Sequence, residues 1–456
     1  MRARKALLTS FTSSAFCLLA ALTTSASAES IAIGIGHQST VTNTVPGGII
    51  LEKLKLLEKH LPKDGKYAGA TYEIVYQDYT SGPPITNQML AGKLQFGVMG
   101  DYPLIVNGAN FQKAGKDESR FIAVTGYNLK GTGNGIVVPV ASDVFSLEQL
   151  AGKTISTPIG SAAWGMTLKV LRDAGLFEKV GLVGQAPPIG VTNIAQGKVD
   201  AHADFCPWSE VMEFRGTGRK IYDGSEAGIP TFHGTVVTKS FADKYPEIVD
   251  AYVNATMEAQ AWIAADPVLA ATKVSEWTGI EKEVLYLYFS KDGISTFEAS
   301  IKPQWDDALK YDHSLLAKEK EIPPLDFARW VDHSFVKKAF EAKGQKYDEV
   351  LKSVVTSVPD APSLPPAEMW IDGEGIKNFD SVKAMMAAYK EAKQAGKNVF
   401  ATYVYDKATG LKLFGHVAFY IQATDGALTP FMKKGEAETF ASKSKGNLVL
   451  WSALSS

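Results

Sequence analysis

The chain has 456 residues, of which 45% are hydrophobic and 21% charged, with 47 lysines and arginines against 49 aspartates and glutamates. Without a basic run, this balance gives no electrostatic footprint for nucleic acid and no polybasic patch for anionic lipid, which leaves small molecules and proteins as partners. Two cysteines, Cys17 and Cys206, exclude a disulfide framework, a zinc ribbon and CxxC redox chemistry.

In chain order, the first feature is an address. Arg2, Arg4 and Lys5 form a positive head, Ala15 to Leu22 an apolar run, and Ala26-Ser27-Ala28 an A-x-A site, the pattern of a cleaved secretory signal. The apolar run is too short to span a bilayer. Ser14-Ala15-Phe16 ahead of Cys17 is not the small-residue box of a lipoprotein. Cleavage after Ala28 removes Cys17, leaves Cys206 as the one thiol, and leaves 44 basic against 49 acidic residues, a formal charge of −5. The expectation is a soluble, unanchored protein of two to three domains that works outside the cytoplasm.

Ser30 to Ile35 and Thr71 to Gln77 are short, β-rich and bounded by turn residues, with helical spacing from Gly47 to His60 between them. The βαβ order repeats with a helix around Pro84 to Gly92, a strand at Phe96 to Met99, a loop Gly100-Asp101-Tyr102 and a strand at Phe121 to Thr125. A second unit of the same kind has strands at Gly135 to Val140 and Thr154 to Thr157, a helix from Ser161 to Ala174, and a segment to Ala201-His202-Ala203. A further strand is expected at Gly234 to Thr238, then helices at Pro246 to Ala265 and Asp326 to Lys343. Alternating strands and helices predict two α/β lobes with mainly parallel sheets covered on both faces. Val354 to Pro366, with four prolines, reads as a linker. Beyond it, strands at Val399 to Tyr405 and Ala418 to Ile421 and helices at Ser381 to Gly396 and Glu436 to Ser444 predict a smaller α+β domain.

Enzyme signatures are missing. There is no HExxH and no GxSxG, and Gly152-Lys153-Thr154 fails as a phosphate loop because Leu147 stands where its first glycine belongs. Gly34-x-Gly36 is a fragment of a dinucleotide fingerprint and reads as a turn. His202 and Cys206 have a spacing that suits a metal on a helix, with His233 as a third candidate, but a lone thiol beside Phe205 and Trp208 reads first as a packed one.

The loops that follow strands carry more. In an open α/β sheet, ligands bind outside the carboxyl ends of the strands, where loops and helix N-termini converge. Those loops hold Ser39 and Thr40, Asp101 and Tyr102, Ser161, Ala162 and Trp164, and Asp204 and Trp208. Ser161 at a helix start, followed by two alanines that leave the backbone uncovered, offers a hydroxyl and free N–H groups to an anion; the alternative is a simple helix cap. Asp101 and Asp204 suit an amine or N–H of a ligand, or are solvated carboxylates. Tyr102, Trp164 and Trp208 are flat walls for a ligand, or core.

From Glu29 to about Gly344 the chain resembles periplasmic substrate-binding proteins of ABC importers, in the nitrate, sulfonate and taurine branch. The resemblance is carried by Thr86 to Gly97 (TNQMLAGKLQFG), Met99-Gly100-Asp101-Tyr102-Pro103, Leu147 to Thr157 with Gly160-Ser161-Ala162, Gly197 to Ala201, and Trp330-Val331-Asp332. It implies a two-lobed type II periplasmic-binding fold with a hinge. Lobe 1 would comprise residues 29–128 and 238–353, and lobe 2 residues 129–237, with crossings near Gly126 to Lys130 and Gly234 to Val237. It also implies ligand contacts at Ser39, Thr40, Asp101, Tyr102, Ser161, Ala162, Asp204 and Trp208. Cys206 departs from that family's loop and leaves the ligand class open.

Residues 367–456 resemble a second family, the NosL-type copper-accessory lipoproteins of nitrous oxide reductase maturation, through Met369 to Asp372, Phe379 to Lys383, Ala401 to Asp406, Ala418 to Tyr420, Thr429 to Met432 and Ala437 to Ala441. That family's Cys-x-Met copper motif is Ala367-Glu368-Met369 here, so the thiolate is gone. Met369, His416 and Met432 remain ligands of a type suited to Cu(I), although methionine also serves as packing. The expected function is therefore a monomeric periplasmic solute-binding protein that delivers a small anionic or zwitterionic molecule to a permease without covalent chemistry. The alternative is a copper metallochaperone or sensor acting through the tail, whose other role would be a lid or docking module.

Overall fold

The computed structural model describes residues 29–128, 131–228, 230–318, 322–352 and 365–456. The expected signal at 1–28 and residues 354–364 of the expected linker lie outside the described residues. No helix among those described is long and apolar enough to cross a membrane.

The strands of the first part are β1 (Ser30–His37), β2 (Thr71–Asp78), β3 (Phe96–Gly100) and β4 (Ser119–Asn128), followed by β5 (Gly135–Pro139), β6 (Thr154–Thr157), β7 (Gly181–Gly184), β8 (Ala201–Asp204), β9 (Gly218–Asp223) and β10 (Thr231–Thr238). They form two five-stranded sheets, β2-β1-β3-β10-β4 and β7-β6-β8-β5-β9. In each sheet three strands run parallel and the fourth position runs antiparallel to its neighbours: β10 between β3 and β4, and β5 between β8 and β9. That antiparallel strand is in both cases the first strand after the chain crosses from the other lobe. The two lobes thus share one topology. Strands β3 and β10 are buried along their whole length, as expected of a sheet covered on both faces.

The second crossing falls before β10, not within it. Gly234 to Val237 pair with β3 and β4, so β10 belongs to lobe 1 and lobe 2 ends ahead of it. The two crossings touch: the Gly224 N–H donates to the Asn134 carbonyl at 2.8 Å, and a Cβ on Gly224 would lie 2.1 Å from the Gly131 carbonyl oxygen. The crossings are anchored by amide side chains. Asn128 Nδ2 donates to the Thr132 carbonyl at 2.7 Å, while its Oδ1 accepts from Asn43 and from Ser295.

Two other readings are corrected. Gly34 and Gly36 form no turn; they lie inside β1, where a Cβ on Gly36 would meet Ile85 and Leu94 of the next connection. Asp101 and Tyr102 are not a loop, since they open the helix Asp101–Ala114. That helix is buried on several faces at once, so it carries no amphipathic stripe for periodicity to find. The later helices Pro267–Thr278, Lys282–Phe289 and Pro303–Lys318 also escaped the pattern, while Pro246–Ala265 has the predicted bounds.

The tail contains β11 (Ala367–Ile371), β12 (Gly375–Phe379), β13 (Val399–Tyr405), β14 (Lys412–Phe414), β15 (Phe419–Gln422), β16 (Leu428–Phe431) and β17 (Asn447–Leu450), in sheets β12-β11-β13-β14 and β16-β15-β17. It is built twice on a strand-strand-helix-strand plan, with the helices Val382–Gln394 and Lys434–Ser444. This unit is packed onto both lobes. Toward lobe 1, the Tyr403 hydroxyl donates to the Glu283 carbonyl at 2.9 Å, and the fully buried Lys412, paired with Glu368 of its own unit at 2.6 Å, reaches Ser290 at 3.0 Å and Asp292 at 3.5 Å. Toward lobe 2, the His416 imidazole meets the Glu213 carbonyl at 3.2 Å, Phe414 packs on Phe214 with ring centroids 5.2 Å apart, and Lys433 pairs with Glu226 at 2.5 Å.

Candidate functional site

Between the lobes, at the carboxyl ends of the parallel strands, the structure encloses two small adjoining cavities. The larger, about 30 Å³, is bounded by Asp101 and Tyr102 from lobe 1, Ala162, Gly165 and Lys169 from lobe 2, and Asp312 from the helix Pro303–Lys318. The smaller, about 10 Å³, is bounded by Gln38, Gly100 and His233 on one side and Ser161, Ala162 and Phe205 on the other. Ala162 borders both. The larger has room for about two water-sized groups and the smaller for about one, so the walls of the cleft lie close together.

The lobe 2 wall is the start of the helix Ala162–Asp173. Ser161 caps it, accepting from the Trp164 N–H at 3.2 Å, and the first helical bond runs from the Gly165 N–H to the Ser161 carbonyl. The N–H groups of Ala162 and Ala163 therefore have no partner within the helix. They sit at its positive end, where the helix field favours an anion. The capping role and the cavity-lining role coexist in Ser161.

The lobe 1 wall is the start of another helix. Asp101 is buried and accepts from the Thr231 hydroxyl at 2.7 Å, the Tyr102 N–H at 2.8 Å and the Phe232 N–H at 3.4 Å. Burial outweighs these bonds and pushes its carboxyl up to about 6. Asp312, hydrogen-bonded to the Tyr102 hydroxyl, is raised well above the usual range by burial and then by the neighbouring Asp101 charge. Burial lowers His233 to about 3, which keeps its imidazole neutral. Gln38 Oε1 and His233 Nδ1 are buried beside the smaller cavity without a hydrogen-bond partner among the described residues. Buried polar atoms left unpaired cost about 1–3 kcal/mol each, so an occupant that pairs with them has a ready source of affinity.

Of the residues expected from sequence, Asp101, Tyr102, Ser161 and Ala162 are brought together here. The other five border neither cavity. The Ser39 amide and hydroxyl both donate to Asp78, at 2.7 and 2.6 Å, which ties the ends of β1 and β2 together. Thr40 is half-buried next to it. Trp164 and Trp208 each keep a buried indole N–H without a partner among the described residues. Asp204 accepts from His202 at 2.8 Å, and the other imidazole nitrogen of His202 meets the Ser156 hydroxyl at 2.8 Å. This serine-histidine-aspartate chain is fully buried within lobe 2. His202 has both ring nitrogens engaged, and burial pushes the Cys206 thiol up to about 12, which makes it an inert packed group.

Sequence reasoning missed Gln38, Lys169, Thr231, His233 and Asp312 as cavity residues. Asp312 had a signal. It stands within the stripe Ala308, Leu309, Leu315, Leu316 at helical spacing, an acid where an apolar residue belongs.

The candidate copper ligands are packed apart from one another in kind. Met369 and Met432 lie in the apolar core of the tail, while His416 meets Phe214 edge-on and lies tilted against Phe414 at the lobe 2 contact. No group of three or more His, Cys, Asp or Glu suited to a metal ion occurs among the described residues.

Comparison with known proteins agrees with this architecture. The family model NMT1/THI5 like matches residues 79–270. The taurine-binding periplasmic protein of Escherichia coli strain K12 is 28% identical over 208 residues, 44% of this chain and 60% of that protein's length. Among solved structures, the alkanesulfonate-binding protein of Xanthomonas axonopodis pv. citri bound to MOPS superimposes with a TM-score of 0.56 at 20% identity, over 68% of this chain and all of that one. The periplasmic nitrate-binding protein of Synechocystis PCC 6803 gives 0.56 at 13% identity, over 72% of this chain and 92% of that one. The fold of the first part is the two-lobed periplasmic-binding type II fold, followed by an additional small α+β unit.

Proposed function

We propose that this chain is the solute-binding component of an ABC importer, capturing a small anionic or zwitterionic molecule between its lobes and delivering it to a permease. The carrying observation is the pair of adjoining cavities where two lobes of one topology meet, walled by a capped helix start on one side and unpaired buried polar groups on the other. Such a site suits the binding and enclosure of a solute. The similarity to proteins that bind taurine, alkanesulfonate and nitrate supports the ligand class. In this reading the first 28 residues are a signal cleaved after Ala28, and the mature chain acts as a monomer in the periplasm. A thermal-shift screen of taurine, alkanesulfonates and nitrate tests it, because a ligand that binds only the folded state raises its melting temperature with saturation. No shift from any of them would count against the reading.

The tail is proposed to act as a brace across the hinge. It grips lobe 1 through Lys412 with Ser290 and Asp292 and through Tyr403, and lobe 2 through His416, Phe414 and Lys433, so a change of inter-lobe angle must strain one set of contacts.

A further inference from the structure

The larger cavity contains an electrostatic imbalance. Asp101 and Asp312 are both buried at its wall, and among the described residues each is hydrogen-bonded by neutral donors: Thr231, Tyr102 and Phe232 for the first, the Tyr102 hydroxyl for the second. Among the described residues the one cation at this cavity, Lys169, is turned toward Asp173 one helical turn on, with the Tyr311 hydroxyl beside it. Burial and mutual repulsion favour protonation of this pair, and with no other cation against them among the described residues a positive group entering between them would compensate their charge. The cavity holds about 30 Å³, enough for an ammonium group, which is close to water in size.

The adjoining cavity has the opposite character. It presents the positive end of the Ala162–Asp173 helix, with the Ser161 hydroxyl, and it is there that Gln38 and His233 keep buried polar atoms without partners. These unpaired atoms are a separate sign that the cleft is made for an occupant. Because Ala162 borders both cavities, a molecule reaching from one to the other is only a few bonds long.

Resting on the reading that this cleft is the solute site, we propose that it selects a short zwitterion. The ammonium lies between Asp101 and Asp312, and a sulfonate or carboxylate faces Ser161 and the Ala162 helix end. Asp312 is thereby a specificity residue supplied by a helix outside both sheets. A plain alkanesulfonate fills the anion end alone and leaves the two carboxylates uncompensated.

The test is calorimetric titration of the full mature chain with 2-aminoethanesulfonate, its amine-free counterpart ethanesulfonate, and 3-aminopropanoate. The expected result is that at least one of the two amines binds 10-fold or more tighter than ethanesulfonate. In Asp312→Asn that margin shrinks to under about 3-fold, and Asp101→Asn serves as a second variant if the first fails to fold. Binding of 3-aminopropanoate in preference to the aminosulfonate supports the ammonium site and assigns a carboxylate to the other end. Ethanesulfonate binding as tightly as 2-aminoethanesulfonate would overturn the ammonium site while leaving the solute-binding reading standing. A margin that persists unchanged in both variants would also overturn the assignment to these two carboxylates. Absence of binding by all three compounds would overturn the proposal together with the reading beneath it.

Discussion

The ring of Tyr102 in lobe 1 lies in the space that any side chain on Gly165 of lobe 2 would need: a Cβ there would sit 1.7 Å from Tyr102 Cζ. Closure of the cleft therefore depends on a missing methyl group in the second turn of the helix Ala162–Asp173.

Gly165→Ala separates folding from closing. Alanine is favoured over glycine within a helix by about 1 kcal/mol, so lobe 2 alone should hold or gain stability. The same methyl blocks the approach of Tyr102, and affinity for the solute should fall at least 10-fold. Calorimetric titration beside a thermal melt checks both signs; unchanged affinity would show that the lobes close differently.

Ser161→Asp tests the anion end in a comparable way. Aspartate caps a helix about as well as serine, so stability should change by less than about 1 kcal/mol. Its carboxylate, however, occupies the ground proposed for the ligand's anion and should weaken binding by well over 10-fold.

The pH dependence of stability follows from Asp101. Its carboxyl is raised to about 6 in the folded chain, so the fold holds this proton longer than the unfolded chain does. That contribution is complete below the unfolded value near 4, declines as pH rises through about 6, and is flat above it. A shift of about two units corresponds to about 3 kcal/mol. Urea denaturation of the ligand-free chain from pH 4 to 8 should show Asp101→Asn gaining on the parent by this order as pH rises. A constant difference between the two would refute the assignment.

The brace makes an energetic prediction. Lys412 is fully buried with Glu368 and Asp292, and Lys412→Met leaves two buried carboxylates without their cation. Breaking a buried pair from one side costs about 3–5 kcal/mol. Lys433→Ala, at a partly exposed pair with Glu226, should cost less than about 1 kcal/mol. Denaturant titrations that place both losses in the same small range would mean that the tail is held elsewhere.

Much of the fold was readable because β1, β3 and the helix Pro246–Ala265 follow simple patterns of burial and helix start. The helix at Asp101 was not, since a helix enclosed on several faces has no polar side to mark its period. The site was half readable for a related reason. Ser161 and Ala162 stand in a strand-to-helix turn that announces itself, and Asp101 follows a strand end. Asp312 and His233 reach the cleft through tertiary packing, from a late helix and from the strand that returns from lobe 2. Asp204 looked equivalent to Asp101 in sequence, and only the geometry shows its carboxylate held by His202.

The most direct test of the central claim is calorimetric titration of the purified mature chain with taurine, run in parallel on the parent and on Gly165→Ala. The expected result is one molecule bound per chain by the parent and at least 10-fold weaker binding by the variant. Equal binding by the two, or no binding of taurine, alkanesulfonate or nitrate by the parent, would contradict capture of such a solute between the closing lobes.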